Sequence, residues 1–284
     1  MVGITSHGGY IPRFRLKREA MVAANGWSNP GLKGYAKAER SMCNWDEDSL
    51  TMAVEAARGC LAGRSRGGIA VVYLASTTLP FADRQNAGVL ANALSLGEEL
   101  ATLDITSSQR AGTSGLIQAL AAVGDAGEGL FVASDNRRTK TGGVQEMMYG
   151  DGAAAFTLGT KGVIAEFKAS HSVAVDFVDH YRASGSDFDY NWEERWIRDE
   201  GYMKIVPRAL EGLFAKAGVA GGDIAHFILP CVIRNVPRNL AKKFDISEGA
   251  LRDNLHTVCG ETGAAHPLLM LAHALEEAKP GDKL

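Results

Sequence analysis

Two stretches share one layout: Thr106–Leu120, TSSQRAGTSGLIQAL, and Thr257–Leu275, TVCGETGAAHPLLMLAHAL. Each is a polar turn, then small residues around Gly-Thr or Thr-Gly, then an amphipathic helix. The segments ahead of them recur in the same order. Val54–Leu61, Gly67-Gly68 and Ile69–Leu74 are matched by Val206–Ala217, Gly221-Gly222-Asp223 and Ile224–Leu229, and the short helix at Gln85–Leu94 by Arg238–Phe244. A repeat of this kind fixes an architecture: two βαβ-rich halves, 1–160 and 161–284, in a pseudo-twofold α/β fold with helices between sheets. The repeat also implies a gap. The first half continues through Gly127–Gly129 into a strand at Leu130–Ala133, whereas the second reaches Pro280-Gly281-Asp282 and stops at Leu284. A sheet short of a strand leaves backbone groups unpaired along an edge, so the C-terminal strand is expected to be missing or to come from another chain.

The remaining elements follow from local pattern. Val2–Tyr10 reads as a strand ending in the Ile11-Pro12 turn, and 17–45 as irregular, broken by Gly26, Asn29-Pro30-Gly31 and Gly34. Asp46-Glu47-Asp48-Ser49 supplies caps and negative charge to a helix with Leu50, Ala53, Val54, Ala57 and Leu61 on one face. Ile69–Leu74 is a nearly unbroken apolar run, which predicts a strand covered on both faces. A strand Ala101–Ile105, a helix Gly112–Val123 and a strand pair Ala153–Leu158 and Val163–Ser170 complete the first half.

The 284 residues are 46% hydrophobic and 22% charged, the composition of a globular protein with a sizeable core. A net charge of −3 gives no electrostatic footprint for nucleic acid or an anionic membrane. No apolar run is long enough for a membrane span and the first residues lack a leader pattern, so a cytoplasmic address is expected. The four cysteines form no CxxC pair, and neither a zinc site nor a disulfide framework is indicated. Walker and GxGxxG patterns are absent.

Several stretches resemble hydroxymethylglutaryl-CoA synthase and its relatives in the thiolase/ketosynthase superfamily. They are Val2-Gly3-Ile4 with Tyr10-Ile11-Pro12-Arg13, Trp45-Asp46-Glu47-Asp48 leading into Ala53-Val54-Glu55-Ala56-Ala57, Arg110-Ala111-Gly112-Thr113, Tyr149-Gly150-Asp151-Gly152-Ala153-Ala154-Ala155, and Gly260-Glu261-Thr262-Gly263-Ala264-Ala265. The match runs in order along the whole chain and implies a thiolase-like α/β fold, an acyl-CoA thioester as substrate, no covalently bound cofactor and a homodimer. It is similar above all to synthase-like proteins encoded with, or fused to, zinc-ribbon/OB-fold acyl-CoA-binding modules, which implies such a partner. The catalytic set is not retained. The family's nucleophilic cysteine, in Asp-x-x-x-x-Cys-Lys-Ala-Gly-Thr, falls at Gln109 within Asp104–Thr113. Its glutamate falls at Thr77, its histidine near Pro230, and its Gly-Asn-Thr asparagine at Glu261.

Chemistry must therefore be argued from the residues present. An amide is not a nucleophile, but Gln109 can donate hydrogen bonds, and beside unpaired N–H groups at a helix start it suits a thioester enolate oxygen. Packing in a dead site is the competing account. Glu261, partly buried, is expected to have a raised pKa and to act as general acid or base, against a plain helix-capping role. His256, five residues earlier, is a second acid/base candidate. Thr77, Ser108, Arg110, Cys259 and His266 are candidate substrate contacts; Ser107 and Ser108 suit helix capping, His266 the start of a helix, and Cys259 and Cys231 small buried positions. Arg137-Arg138 with Lys140 could meet CoA phosphates or form a solvated loop. Trp192–Trp196, with Tyr181, Tyr190 and Tyr202, could line an acyl pocket, form a subunit contact or pack a loop. Three functions stand open: aldol, retro-aldol or decarboxylative chemistry without an acyl-enzyme; a silent acyl-CoA-binding or scaffolding subunit; and a synthase whose nucleophile has moved to Cys259 or a serine.

Overall fold

The computed structural model describes residues 1–123 and 127–284. It divides into two compact units, Met1–Phe167 with Leu255–Ala272, and Lys168–Asn254 with His273–Leu284.

The first unit is built on a six-stranded mixed sheet. In chain order its strands are β1 (Gly3–Tyr10), β4 (Ile69–Ala75), β5 (Ala101–Ile105), β6 (Glu128–Asp135), β7 (Gly152–Gly159) and β8 (Ala165–Glu166), arranged β5-β4-β6-β7-β1-β8. β4 runs parallel to both β5 and β6, and the remaining pairs are antiparallel. A separate ribbon pairs β2 (Phe14–Lys17) with β3 (Glu39–Met42), and the helix α1 (Arg18–Asn25) leads away from β2. All eight residues of β7 are buried. A strand can be covered in this way only if helices lie on both faces, because successive side chains point to opposite sides.

Adjacent glycines in β1 show which helix covers which face. A Cβ at Gly8 would meet Ala56 and Cys60 of α2 (Ser49–Cys60), whereas one at Gly9 would meet Leu269 of α9 (His266–Glu277). On the α2 face Met52, Ala53, Ala56 and Ala57 pack with Val72, Leu74, Leu130, Val132 and Ala155, joined by Leu90 of α3 (Asn86–Ala93). On the opposite face α4 (Ala111–Val123) lies on β6, with Gly115 against the Phe131 ring. Asp48 caps α2 with a full capping box, its Oδ1 accepting from Leu50 and Thr51 N–H at 2.9 and 2.8 Å, an arrangement worth about 1 kcal/mol. Asp104, at the end of β5, does the same for α3 by accepting from Asn86 and Ala87 N–H, each at 2.7 Å. A short helix α5 (Val144–Met148) precedes β7.

The second unit carries the ribbon β9 (His180–Tyr181) and β10 (Tyr190–Asn191), the helical turn α6 (Glu194–Trp196) running into a π-helical stretch Ile197–Tyr202, and the helices α7 (Ile205–Ala217) and α8 (Val236–Lys243). The helices of the repeated pattern are thus present, but the strand expected at Ile224–Leu229 is not. Only Phe227 forms a bridge, with Leu251. Phe227 N–H binds Ala250 O, while Ala225 and His226 N–H both converge on Lys283 O. These polar groups are satisfied singly from two segments, so no ladder forms. Val163–Ser170 likewise shortens to β8, its neighbours Ile164 and Phe167 each making one bond to the first strand's segment.

Candidate active site

The 106–113 turn is shaped by Ser107, which holds a left-handed φ of +73°, and by Ser108. Ser108 Oγ accepts from Arg110 N–H at 3.2 Å and its carbonyl from Ala111 N–H at 2.9 Å, while Gly112 N–H reaches Gln109 O at 3.4 Å. Ser108 therefore caps the turn. The backbone donors expected to stand open beside Gln109 are instead engaged within it. Gln109 is half-buried, and among the described residues its side-chain amide has no hydrogen-bond partner. Arg110 is exposed.

This turn closes flush on the second one. A Cβ on Gly112 would lie 2.1 Å from Ala264 O, in the turn Gly263–Ala265 that precedes α9. Residue 112 must therefore be glycine for the two turns to touch. The joint is held from beneath by Asp135, fully buried at the end of β6. Its Oδ1 accepts from Ser76 Oγ (2.9 Å), Thr77 N–H (2.7 Å) and Thr78 Oγ1 (3.0 Å). Its Oδ2 accepts from Thr77 Oγ1 (3.1 Å) and Ala264 N–H (2.7 Å). One carboxylate thus ties the loop after β4, which holds Thr77, to the turn that holds Glu261. Sequence reasoning missed Asp135; a lone aspartate ending an apolar strand was the available signal.

Glu261 is not a free acid or base. Arg137, its side chain 2% exposed, bonds both its carboxylate and its carbonyl and stacks 3.6 Å above the Tyr149 ring. Gly263 N–H donates to Glu261 Oε1 at 2.8 Å. Burial opposes the charge on Glu261, but the Arg137 guanidinium and then His266 hold the carboxyl below its usual range. The expected raised pKa is thereby corrected: a buried carboxylate facing a buried guanidinium stays ionised. Arg137 is accordingly not part of a solvated basic loop.

His256 is also committed. Arg18 donates to its carbonyl at 2.7 Å and lies 3.3 Å from its Nε2. Burial, with the charges of Arg18 and His266, lowers its pKa to about 4, so the ring is neutral at pH 7. His266 Nδ1 accepts from Thr262 N–H at 3.2 Å, which places any ring proton of the neutral form on Nε2 and fixes the side chain at the start of α9. Cys259 is fully buried, its thiol directed at Leu255 O and Gly260 O and its carbonyl accepting from Ser41 N–H and Oγ. That is a packed structural cysteine, not an exposed nucleophile. Cys231, equally buried, has its thiol pushed up to about 11 by burial. Among the described residues no bond joins Gln109 to Glu261 or His256. No group of three or more His, Cys, Asp or Glu among them is placed to hold a metal ion.

Comparison with known proteins decides the family. No family model matches the chain. The hydroxymethylglutaryl-CoA synthase of Aeropyrum pernix, however, is 32% identical over 289 residues, covering 99% of this chain and 80% of that protein. The chain belongs to the hydroxymethylglutaryl-CoA synthase family. The synthase of Methanothermobacter thermautotrophicus is 30% identical over all of the chain and 84% of its own length. Solved structures show the same thiolase-like fold. An OleA variant from Xanthomonas campestris superposes with a TM-score of 0.85 at 16% identity, covering 99% of this chain and 91% of that one. The 3-oxoacyl-(acyl carrier protein) synthase III of Pseudomonas aeruginosa gives 0.79 at 19% identity, covering 97% and 90%.

Proposed function

We propose that this hydroxymethylglutaryl-CoA synthase-like chain acts on acyl-CoA thioesters without an acyl-enzyme, by decarboxylation through an enolate held at Gln109. Family membership and fold support the acyl-CoA substrate. The observation that carries the reaction type is the contrast at the joined turns: the Gln109 amide is uncommitted, while Glu261 and His256 are both engaged. Aldol and retro-aldol chemistry need a base or acid to move a proton in the transition state. An ion-paired carboxylate and a covered neutral imidazole do not supply one. Decarboxylation of a malonyl-type thioester needs only an electron sink. The bond from the α-carbon to the carboxylate breaks, CO2 leaves, the electron pair moves onto the thioester oxygen against the Gln109 donors, and water returns a proton to carbon.

Such donors are worth about 10²–10³ in rate each. Incubation with malonyl-CoA and methylmalonyl-CoA, followed by product mass, should therefore show turnover that falls by about this factor in Gln109→Ala. Equal rates for the variant would refute the assignment. Acetyl-CoA should leave no adduct on the protein, since no accessible thiol stands at the site. Thr77 and Arg110 are proposed to contact substrate directly, and Ser108, Cys259 and His266 to shape its surroundings.

The Arg137–Glu261 pair also favours a second reading, in which the chain is a silent acyl-CoA-binding subunit that supports a zinc-ribbon/OB-fold partner. Binding of CoA thioesters without turnover, alone or with that partner, would select it. A homodimer through the open edge of β5 fits either reading. Among the described residues no strand pairs with its outer side, and it lies beside a shallow depression of about 510 Å³ lined by Tyr73, Leu103, Ile105, Gln118, Ala121 and Ala122. Sedimentation analysis reports this directly.

A further inference from the structure

The segment from Lys168 to Glu200 contains no buried residue, yet it holds four of the eight exposed aromatic rings among the described residues. Tyr181 and Tyr190 are each 53% exposed, Trp192 47% and Trp196 45%. The rings are ordered chiefly by one another. Tyr181 lies 5.3 Å from Tyr190, which lies 6.0 Å from Trp192, and Phe177 stacks on Trp196 with planes 6° apart. The backbone beneath them is fixed. Arg182 pairs with the nearly buried Asp189 to brace the β9–β10 ribbon, and Glu193 caps the turn carrying Trp196 by accepting from Arg195 and Trp196 N–H, both at 2.9 Å. Gly201, in the π-helical stretch, has its Cα directly under the Phe177 ring, where a Cβ would approach to 2.8 Å. Two groups of exposed rings carried by one braced segment mark an interaction site, and π-helical turns are frequent at functional sites.

Charge narrows the occupant. Between Asp176 and Glu200 eight carboxylates accompany three arginines, a net −5 against −3 for the whole chain. The three arginines are spent internally, on Asp189 and Asp199. A second copy would bring like charge to this face, and an uncharged apolar partner would strand carboxylates out of water. We propose that the surface formed by Phe177, Tyr181, Tyr190, Trp192, Trp196 and the surrounding carboxylates docks an arginine-bearing basic segment of a different protein. Guanidinium groups stack on Tyr and Trp faces and fork onto Asp and Glu, which suits arginine better than lysine. The proposal does not depend on the chemistry at Gln109.

Titration of the full chain with nona-arginine, nona-lysine and nona-glutamate, read by calorimetry, tests it. Nona-arginine should bind about tenfold more tightly than nona-lysine, and nona-glutamate should not bind. Trp192→Ser and Glu194→Lys, both at exposed positions, should each weaken nona-arginine by about tenfold with unchanged melting curves. Equal affinity for the two cationic peptides, no binding, or variants that bind as wild type would overturn it. So would a dimer that Trp192→Ser dissociates, since the occupant would then be a second copy.

Discussion

Replacing Arg137 by methionine should convert Glu261 from an anchored anion into a stranded one. In the wild type the Arg137 side chain is 2% exposed and that of Glu261 19%. Breaking a buried pair by removing one partner costs about 3–5 kcal/mol. Because Glu261 keeps the Gly263 N–H at 2.8 Å and some solvent, the lower end applies, about 3 kcal/mol at pH 7. For a chain of this size that is a fall of roughly 6 °C in melting temperature. The pH dependence carries the sharper test. In the wild type the folded pKa of Glu261 lies below its ordinary value, so the stability it contributes is present above that value and lost as pH falls through the folded one. In the variant burial is opposed only by His266 and the Gly263 N–H, and the folded pKa rises. The folded state then binds the proton more tightly than the unfolded chain, and the penalty shrinks on acidification. Melting curves from pH 8 to pH 4 should show the gap between wild type and Arg137→Met closing steadily, and Glu261→Gln in the variant background should recover much of the loss at pH 7. A gap independent of pH, or a variant as stable as wild type at pH 7, would refute the ion-pair account of Glu261.

His256 titrates at about 4 in the folded protein against an ordinary 6.5, so the unfolded chain takes up the proton first and stability should fall by about 3 kcal/mol as pH drops across that window. His256→Gln should flatten this slope in denaturant titrations; an unchanged slope would exclude the ring as its source. Asp135→Asn turns one acceptor oxygen into a donor facing hydroxyl and N–H donors, and should lower unfolding free energy by about 2–4 kcal/mol by urea titration. Gly112→Ala should destabilise by about 1–3 kcal/mol because its Cβ would strike Ala264 O, whereas Gly59→Ala, with open space around it in α2, should stabilise by about 0.5–1 kcal/mol.

Much of the first unit was legible because its signals are local, although 17–45, read as irregular, holds α1 and β3. Ala101–Ile105 is a strand with those bounds, and the apolar run at Ile69–Leu74 and the caps at Asp48 predict what folds there. The two matched stretches, Thr106–Leu120 and Thr257–Leu275, meet at Gly112 and Ala264, a contact the match alone does not state. Ile224–Leu229 failed for a nonlocal reason: its apolar run is that of a strand, but its polar backbone finds single partners rather than a neighbouring strand. The site misled in the same way. Burial alone predicts a raised pKa for Glu261, and nothing local reveals that Arg137, 124 residues away, lies against it. Nor does the sequence show that Arg18 covers His256, or that Asp135 gathers Ser76, Thr77, Thr78 and Ala264.

That gathering at Asp135 has a consequence for how the site can change. Its partners are backbone N–H groups and hydroxyls on the loops that display positions 77 and 261, and neither Gln109 nor its turn is among them. The frame is therefore insulated from the identity of the residue at 109. A cysteine there would meet the same turn, the same glycine contact and the same buried carboxylate beneath. What would still be lacking is a free base, because Glu261 is bound to Arg137 and His256 is covered by Arg18. Placing a thiol at 109 takes one substitution, whereas giving it a base requires releasing Glu261 from Arg137 or His256 from Arg18. The fold can thus drift between chemistries at one position while remaining closed to them at another.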